Sequence, residues 1–170
     1  MNAFVSKVRQ WHDGLFGLTE YLKSPLLLFV RLYWGWQLAQ SGWGKLHNLE
    51  KVTGFFASLN LPMPAQTAVF ISCLEFFGGI LLALGLFSRI ISLALTVNLV
   101  MAYVTADREA LFSIFSDPDK FTAAAPFTFL CASLVVLVFG AGKFSVDTAA
   151  GYLLGGGKAK QAQGSAQAIP

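Results

Sequence analysis

Three polar residues stand in stretches otherwise fit for hydrocarbon: Arg31 in PLLLFVRLYWGW, Glu75 in VFISCLEFFGGIL and Asn98 in SLALTVNLVMAY. A charge at mid-bilayer costs about 2.5–3.5 kcal/mol on insertion scales, so such residues are retained for function or for pairing. A carboxylate among apolar helices can exchange protons, and a guanidinium can give it two parallel hydrogen bonds. Counted at ~1.5 Å per residue from one end of each stretch, Arg31 lies about 9 Å deep, Asn98 about 12–13 Å and Glu75 about 18 Å. Gln37 falls near the level of Glu75. The spacing predicts one intramembrane cluster of Arg31, Gln37, Glu75 and Asn98, suited to proton handling or to a quinone headgroup. The structural alternative is that Arg31 snorkels to the headgroups and that Glu75 fixes helix register.

The composition demands such a setting. Of 170 residues, 55% are hydrophobic and 12% charged, about half the charged share of an ordinary soluble domain. Too few polar residues exist to clothe a water-facing surface, which argues against a cytosolic enzyme or a disordered chain. A net charge of +3, spread along the chain, is no nucleic-acid footprint. Four stretches approach the roughly 20 apolar residues that a bilayer requires: 25–42, 65–87, 90–105 and 121–140. Ser24 and Pro25 supply a cap and first helical residue for the first, and Pro126 is expected to kink the fourth without ending it. The fold class is therefore all-α, a four-transmembrane-helix bundle over residues 25–150.

Before it, over 1–24, Phe4, Val8, Trp11, Leu15, Leu18 and Leu22 fall three to four apart, the stripe of an N-terminal amphipathic interfacial helix. Residues 151–170 read as a disordered cytoplasmic tail, and 43–64 as a segment hugging the outer interface. If both termini share one side, that side holds Lys7, Arg9, Lys23, Arg89, Lys143, Lys158 and Lys160. The other holds Lys45, Lys51, Arg108 and Lys120. Positive residues favour the cytoplasm, which places both termini there in a multi-pass membrane protein.

Other chemistries have little to work with. Cys73 and Cys131 stand alone in apolar runs and read as small buried hydrophobes. His12 and His47 lie outside the spans, so two histidines cannot hold a haem within the bundle. No phosphate loop or nucleophilic triad is recognisable, and neither a metal nor a covalent cofactor is expected. Gly35, Gly42 and Gly44 in the first span, with Gly78, Gly79 and Gly85 in the second, offer smooth faces for close packing of helices within the chain.

Several fragments resemble the DoxX family of small four-helix bacterial membrane proteins, in order over about residues 25–150. They are Arg31-Leu32 with Gly42-Trp43-Gly44-Lys45-Leu46, Phe55-Phe56 with Leu61-Pro62, Glu75-Phe76-Phe77-Gly78-Gly79 with Leu84-Gly85-Leu86 and Arg89, and Gly140-Ala141-Gly142-Lys143-Phe144-Ser145-Val146-Asp147. Ala141 and Asn60 depart from the family's usual Pro and Gly. The resemblance implies an accessory or quinone-interacting subunit of a membrane redox system, and it adds Lys45, Arg89 and Asp147 as an interface motif. Asp147 is expected to cap a short helix after the fourth span and to contact Arg89. The partners to be considered are the lipid bilayer, a redox partner subunit and a second copy of the chain, although the oligomeric state is not readable from the sequence. Quinone is the one cofactor suggested. Two alternatives stand beside this reading: a scaffolding membrane protein with no catalysis of its own, and a small solute carrier.

Overall fold

The computed structural model describes the backbone of residues 2–153 and the side chains of residues 21–153. All regular structure in that range is helical. The elements are α1 (Asn2–His47), α2 (Leu49–Ser58), α3 (Pro64–Leu84), α4 (Ser88–Thr105), α5 (Arg108–Phe112), α6 (Pro118–Ala123) and α7 (Pro126–Phe139), with a further helical stretch, α8, over 146–153. α1, α3, α4 and α7 meet at one buried apolar cluster to which each gives a single residue: Leu38, Leu82, Leu95 and Val136. The outer surface is also apolar, with Phe29, Trp36, Phe70, Phe77, Ile90, Val97 and Val138 exposed. Both α3 and α4 are long and apolar enough to cross a membrane by length and composition.

Glycine sets how closely α1 approaches α3. A methyl group at Gly42 would overlap the backbone of Phe76, and one at Gly79 would lie 2.5 Å from the Ala39 nitrogen. The two backbones touch where larger side chains would hold them apart. Gly44 faces open space instead and takes no part in this packing.

Several boundaries differ from the sequence expectation. α1 does not restart at Pro25 but runs unbroken through it. A single proline removes one helical hydrogen bond without having to end a helix, and Ser24 beside it is buried near Gly142. The stripe from Phe4 to Leu18 lies outside the residues with described side chains, and its last member, Leu22, is exposed. The fourth apolar stretch is two helices rather than one kinked helix. Ala124 is extended (φ −63°, ψ 140°) and interrupts the helix, and Pro126 opens α7. At 14 residues, α7 is about 21 Å long, short of a hydrocarbon core of about 30 Å. Finally, α8 extends past residue 150, so the tail expected from 151 begins inside a helix; residues 154–170 lie outside the described range. The cysteines differ too: Cys73 is half-buried and Cys131 exposed, and both are free thiols.

Candidate functional site

α1 continues beyond Gly42, and that continuation builds the site. Lys45 lies seven residues after buried Leu38 and four after Ser41, so the helical period carries all three along one side of α1. α1 ends where the Asn48 side-chain amide donates to the Gly44 carbonyl at 2.8 Å, competing with the helix's own pattern. Glu75 lies 11 residues into α3, about 16–17 Å from its start, and its side chain is 7% exposed. Lys45 Nζ reaches both Glu75 oxygens at 2.6 Å. Ser41 Oγ donates to Oε2 at 3.0 Å, and Asn98 Nδ2 approaches Oε1 at 3.5 Å. Asn98 is therefore only loosely held.

This group lies on the wall of a cavity of about 1090 Å³ between α2, α3 and α4. Val52, Phe55 and Phe56 line it from α2, Phe70, Ile71 and Leu74 from α3, and Val97 and Met101 from α4. Lys45, Glu75 and Asn98 put an ion pair and an amide into a mostly apolar space, the arrangement of a small-molecule site in which a few polar groups fix orientation. α2 has no buried residue. It joins α3 through Asn60 (φ +54°) and Met63 (φ +48°), left-handed positions that cost a non-glycine residue about 1 kcal/mol or more each.

Arg31 belongs to a second site, at the α3–α4 turn. It is wholly buried, and its Nη2 donates to the Phe144 carbonyl. Its guanidinium lies against Gly85, where a methyl group would overlap it. Gly85 ends α3 with φ +70°, and the Gly85 and Leu86 amides bond back to Leu82 and Leu81, a Schellman ending. Asp147 completes this lock. Its carboxylate accepts from the Phe87 amide at 2.8 Å, the Ser88 amide at 2.9 Å and the Ser88 hydroxyl at 2.7 Å, and its own amide donates to the Gly85 carbonyl at 3.0 Å. Arg31 thus sits at the C-terminus of α3 and Asp147 at the N-terminus of α4, each matching the local helix dipole. Burial alone would raise the Asp147 carboxyl. The Ser88 amide and hydroxyl, the Phe87 amide and the Arg31 charge outweigh it and hold the group below the ordinary carboxylate range.

The single expected cluster therefore divides in two. Glu75 and Asn98 come together as expected, but the cation beside them is Lys45, not Arg31. Gln37, half-buried, lines no part of the cavity. Asp147 caps α4, sixty residues back in sequence, while Ser145 Oγ accepts the Thr148 amide at 3.2 Å and caps α8. Arg89 makes no ion pair with Asp147; its side chain lies at Gly140. The 43–64 segment folds as the end of α1 plus α2 and walls the cavity. Sequence reasoning placed Lys45 outside the first span because it closed that helix at Gly42. The 38–41–45 spacing was the signal that could have kept the helix going. Among the described residues, no group of three His, Cys, Asp or Glu side chains could hold a metal ion.

The DoxX family model matches residues 26–108. This stretch includes Arg31, Lys45, Glu75, Gly85, Arg89 and Asn98, and it holds every residue that lines the cavity. This match and the two apolar helices point to a membrane protein similar to the DoxX family. No curated protein matches the chain, and no solved structure does. The closing Gly140–Asp147 stretch lies beyond the matched residues, yet through Arg31 and Ser88 it is bonded to them at both sides of the α3–α4 turn.

Proposed function

We propose that this DoxX-like protein is an accessory subunit of a membrane redox system that lodges a quinone in the α2–α3–α4 cavity. It spans the bacterial inner membrane four times, through α1, α3, α4 and the shorter α6–α7 pair, with both termini in the cytoplasm. One observation carries the reading: a Lys45–Glu75–Asn98 group deep in the wall of an apolar cavity bordered by lipid-facing residues. The cavity is large enough for a headgroup and part of a chain, since drug-sized sites run from about 300 to 1,000 Å³. The donor set also fits. Lys45 Nζ and the loosely held Asn98 amide supply N–H donors for a ring carbonyl, while Phe55, Phe70 and Met101 offer apolar walls to an isoprenoid tail.

A bound quinone would supply the electron-carrying chemistry. The chain's own residues orient it, keep water out and hold a carboxylate beside it. Glu75, neutralised by Lys45, keeps the site from presenting a bare charge to an uncharged ring. Scaffolding alone does not account for an ion pair facing into a cavity.

The test is quinone content after purification from native membranes. The wild-type protein is expected to retain quinone near one per chain, and Lys45→Met and Asn98→Leu to lose most of it while still folding. Retention no higher than that of an unrelated four-helix membrane protein refutes the proposal.

A further inference from the structure

A second candidate binding place lies at the opposite end of the molecule, where α7 finishes. Lys23 of α1 lies 5.6 Å above the ring of Phe139. The Arg89 guanidinium of α4 comes within 3.7–3.9 Å of where a methyl group on Gly140 would sit. Lys143 follows three residues later and is exposed, as Arg89 is. Three cations from three elements thus surround the turn that closes α7. Asp147, four residues after Lys143, is committed to the Phe87 and Ser88 amides, the Ser88 hydroxyl and the Arg31 charge. Among the described residues it leaves Lys23, Arg89 and Lys143 without a counter-charge.

The turn itself adds donors. Gly140 (φ +76°) and Gly142 (φ +75°) adopt conformations that glycine takes without strain. The Gly140 amide bonds back to Val136, and the Ala141 and Gly142 amides have no acceptor among the described residues. Backbone N–H groups beside an arginine fork and lysines make a phosphate-binding chemistry. Beside the cations the surface turns apolar, with Phe87, Ile90, Val138, Phe139 and Phe144 all more than half exposed. A free phosphate has no use for that strip, whereas a phospholipid places its headgroup on the cations and its chains along the aromatic residues.

We infer that Lys23, Arg89 and Lys143, with the 140–142 turn, form a site for the phosphodiester headgroup of an anionic glycerophospholipid. The site selects against zwitterionic lipids because their own ammonium group would meet three cations. It lies at the α3–α4 turn end, away from the cavity, and does not depend on what the cavity holds.

Native mass spectrometry of the full chain in mild detergent tests this, with phosphatidylglycerol and phosphatidylcholine as probes and inorganic phosphate as competitor. Phosphatidylglycerol adducts are expected to exceed phosphatidylcholine adducts at least fivefold. The preference should vanish in the Arg89→Gln/Lys143→Gln variant, persist in Lys120→Gln, and withstand millimolar phosphate. Equal binding of the two lipids overturns the inference, as does an unchanged preference in the double variant, an equal loss in Lys120→Gln, or displacement by phosphate. If the double variant fails to fold, the wild-type protein decides: a preference that survives 0.5 M NaCl overturns the site, and one that collapses supports it.

Discussion

Replacing Asp147 with alanine should destabilise this protein more than any other change to an acidic residue outside the membrane spans. The carboxylate holds three hydrogen bonds, at 2.7, 2.8 and 2.9 Å. A hydrogen bond to a charged group contributes about 1.5–3 kcal/mol, and loss of a helix cap typically costs about 1 kcal/mol. The three do not add. Phe87 is exposed, so water recovers its amide, but Ser88 is 2% exposed and its amide is left unpaired. Arg31, wholly buried, also loses its neighbouring negative charge. Together these give about 2–4 kcal/mol for Asp147→Ala and about half that for Asn, which keeps one acceptor. Reversible unfolding in mixed detergent micelles, followed by far-UV circular dichroism, measures the difference. Arg89→Gln serves as control, because Arg89 makes no ion pair with Asp147, and should move the midpoint little. If Asp147→Ala unfolds within about 0.5 kcal/mol of wild type, below the smallest typical loss for a cap, the lock between the closing segment and the α3–α4 turn does not hold the bundle together.

The same group predicts a pH dependence. Its folded pKa is depressed, so its stabilisation is fully present above the ordinary aspartate value of about 3.9 and is lost as pH falls through and below it. A wild-type profile that weakens below pH 4, and an Asp147→Asn profile that is flatter there, would agree; parallel profiles would not. At the cavity, Glu75→Gln leaves Lys45 facing a neutral partner. It should cost about 1–3 kcal/mol, below the 3–5 of a fully buried pair because the Lys45 side chain is 34% exposed. The Glu75→Gln/Lys45→Met double variant should recover part of this, and a double-mutant cycle with no coupling would dismiss the pair. Gly79→Ala should lose about 1–3 kcal/mol through overpacking against α1, whereas Gly44→Ala, facing open space, should be neutral or gain up to about 1 kcal/mol from helix propensity. Thermal melts of the two side by side check this, and equal shifts would contradict the packing described.

Hydropathy and residue spacing alone determined that the chain is helical, where α3 and α4 run and that hydrocarbon surrounds much of the surface, because these depend on local composition summed along each segment. They also flagged Arg31, Glu75 and Asn98, since burying a charge is costly wherever the helix packs. Tertiary structure decided the partners. Lys45 reaches Glu75 only because α1 continues past Gly42 and glycines let it lie against α3. Arg31 turns away to Gly85 and Phe144 because the chain returns after α7 to close the α3–α4 turn, bringing Asp147 beside Ser88 across sixty residues. Such pairings rest on side-chain reach and on the rotation of one helix against another, which are fixed only when the helices pack.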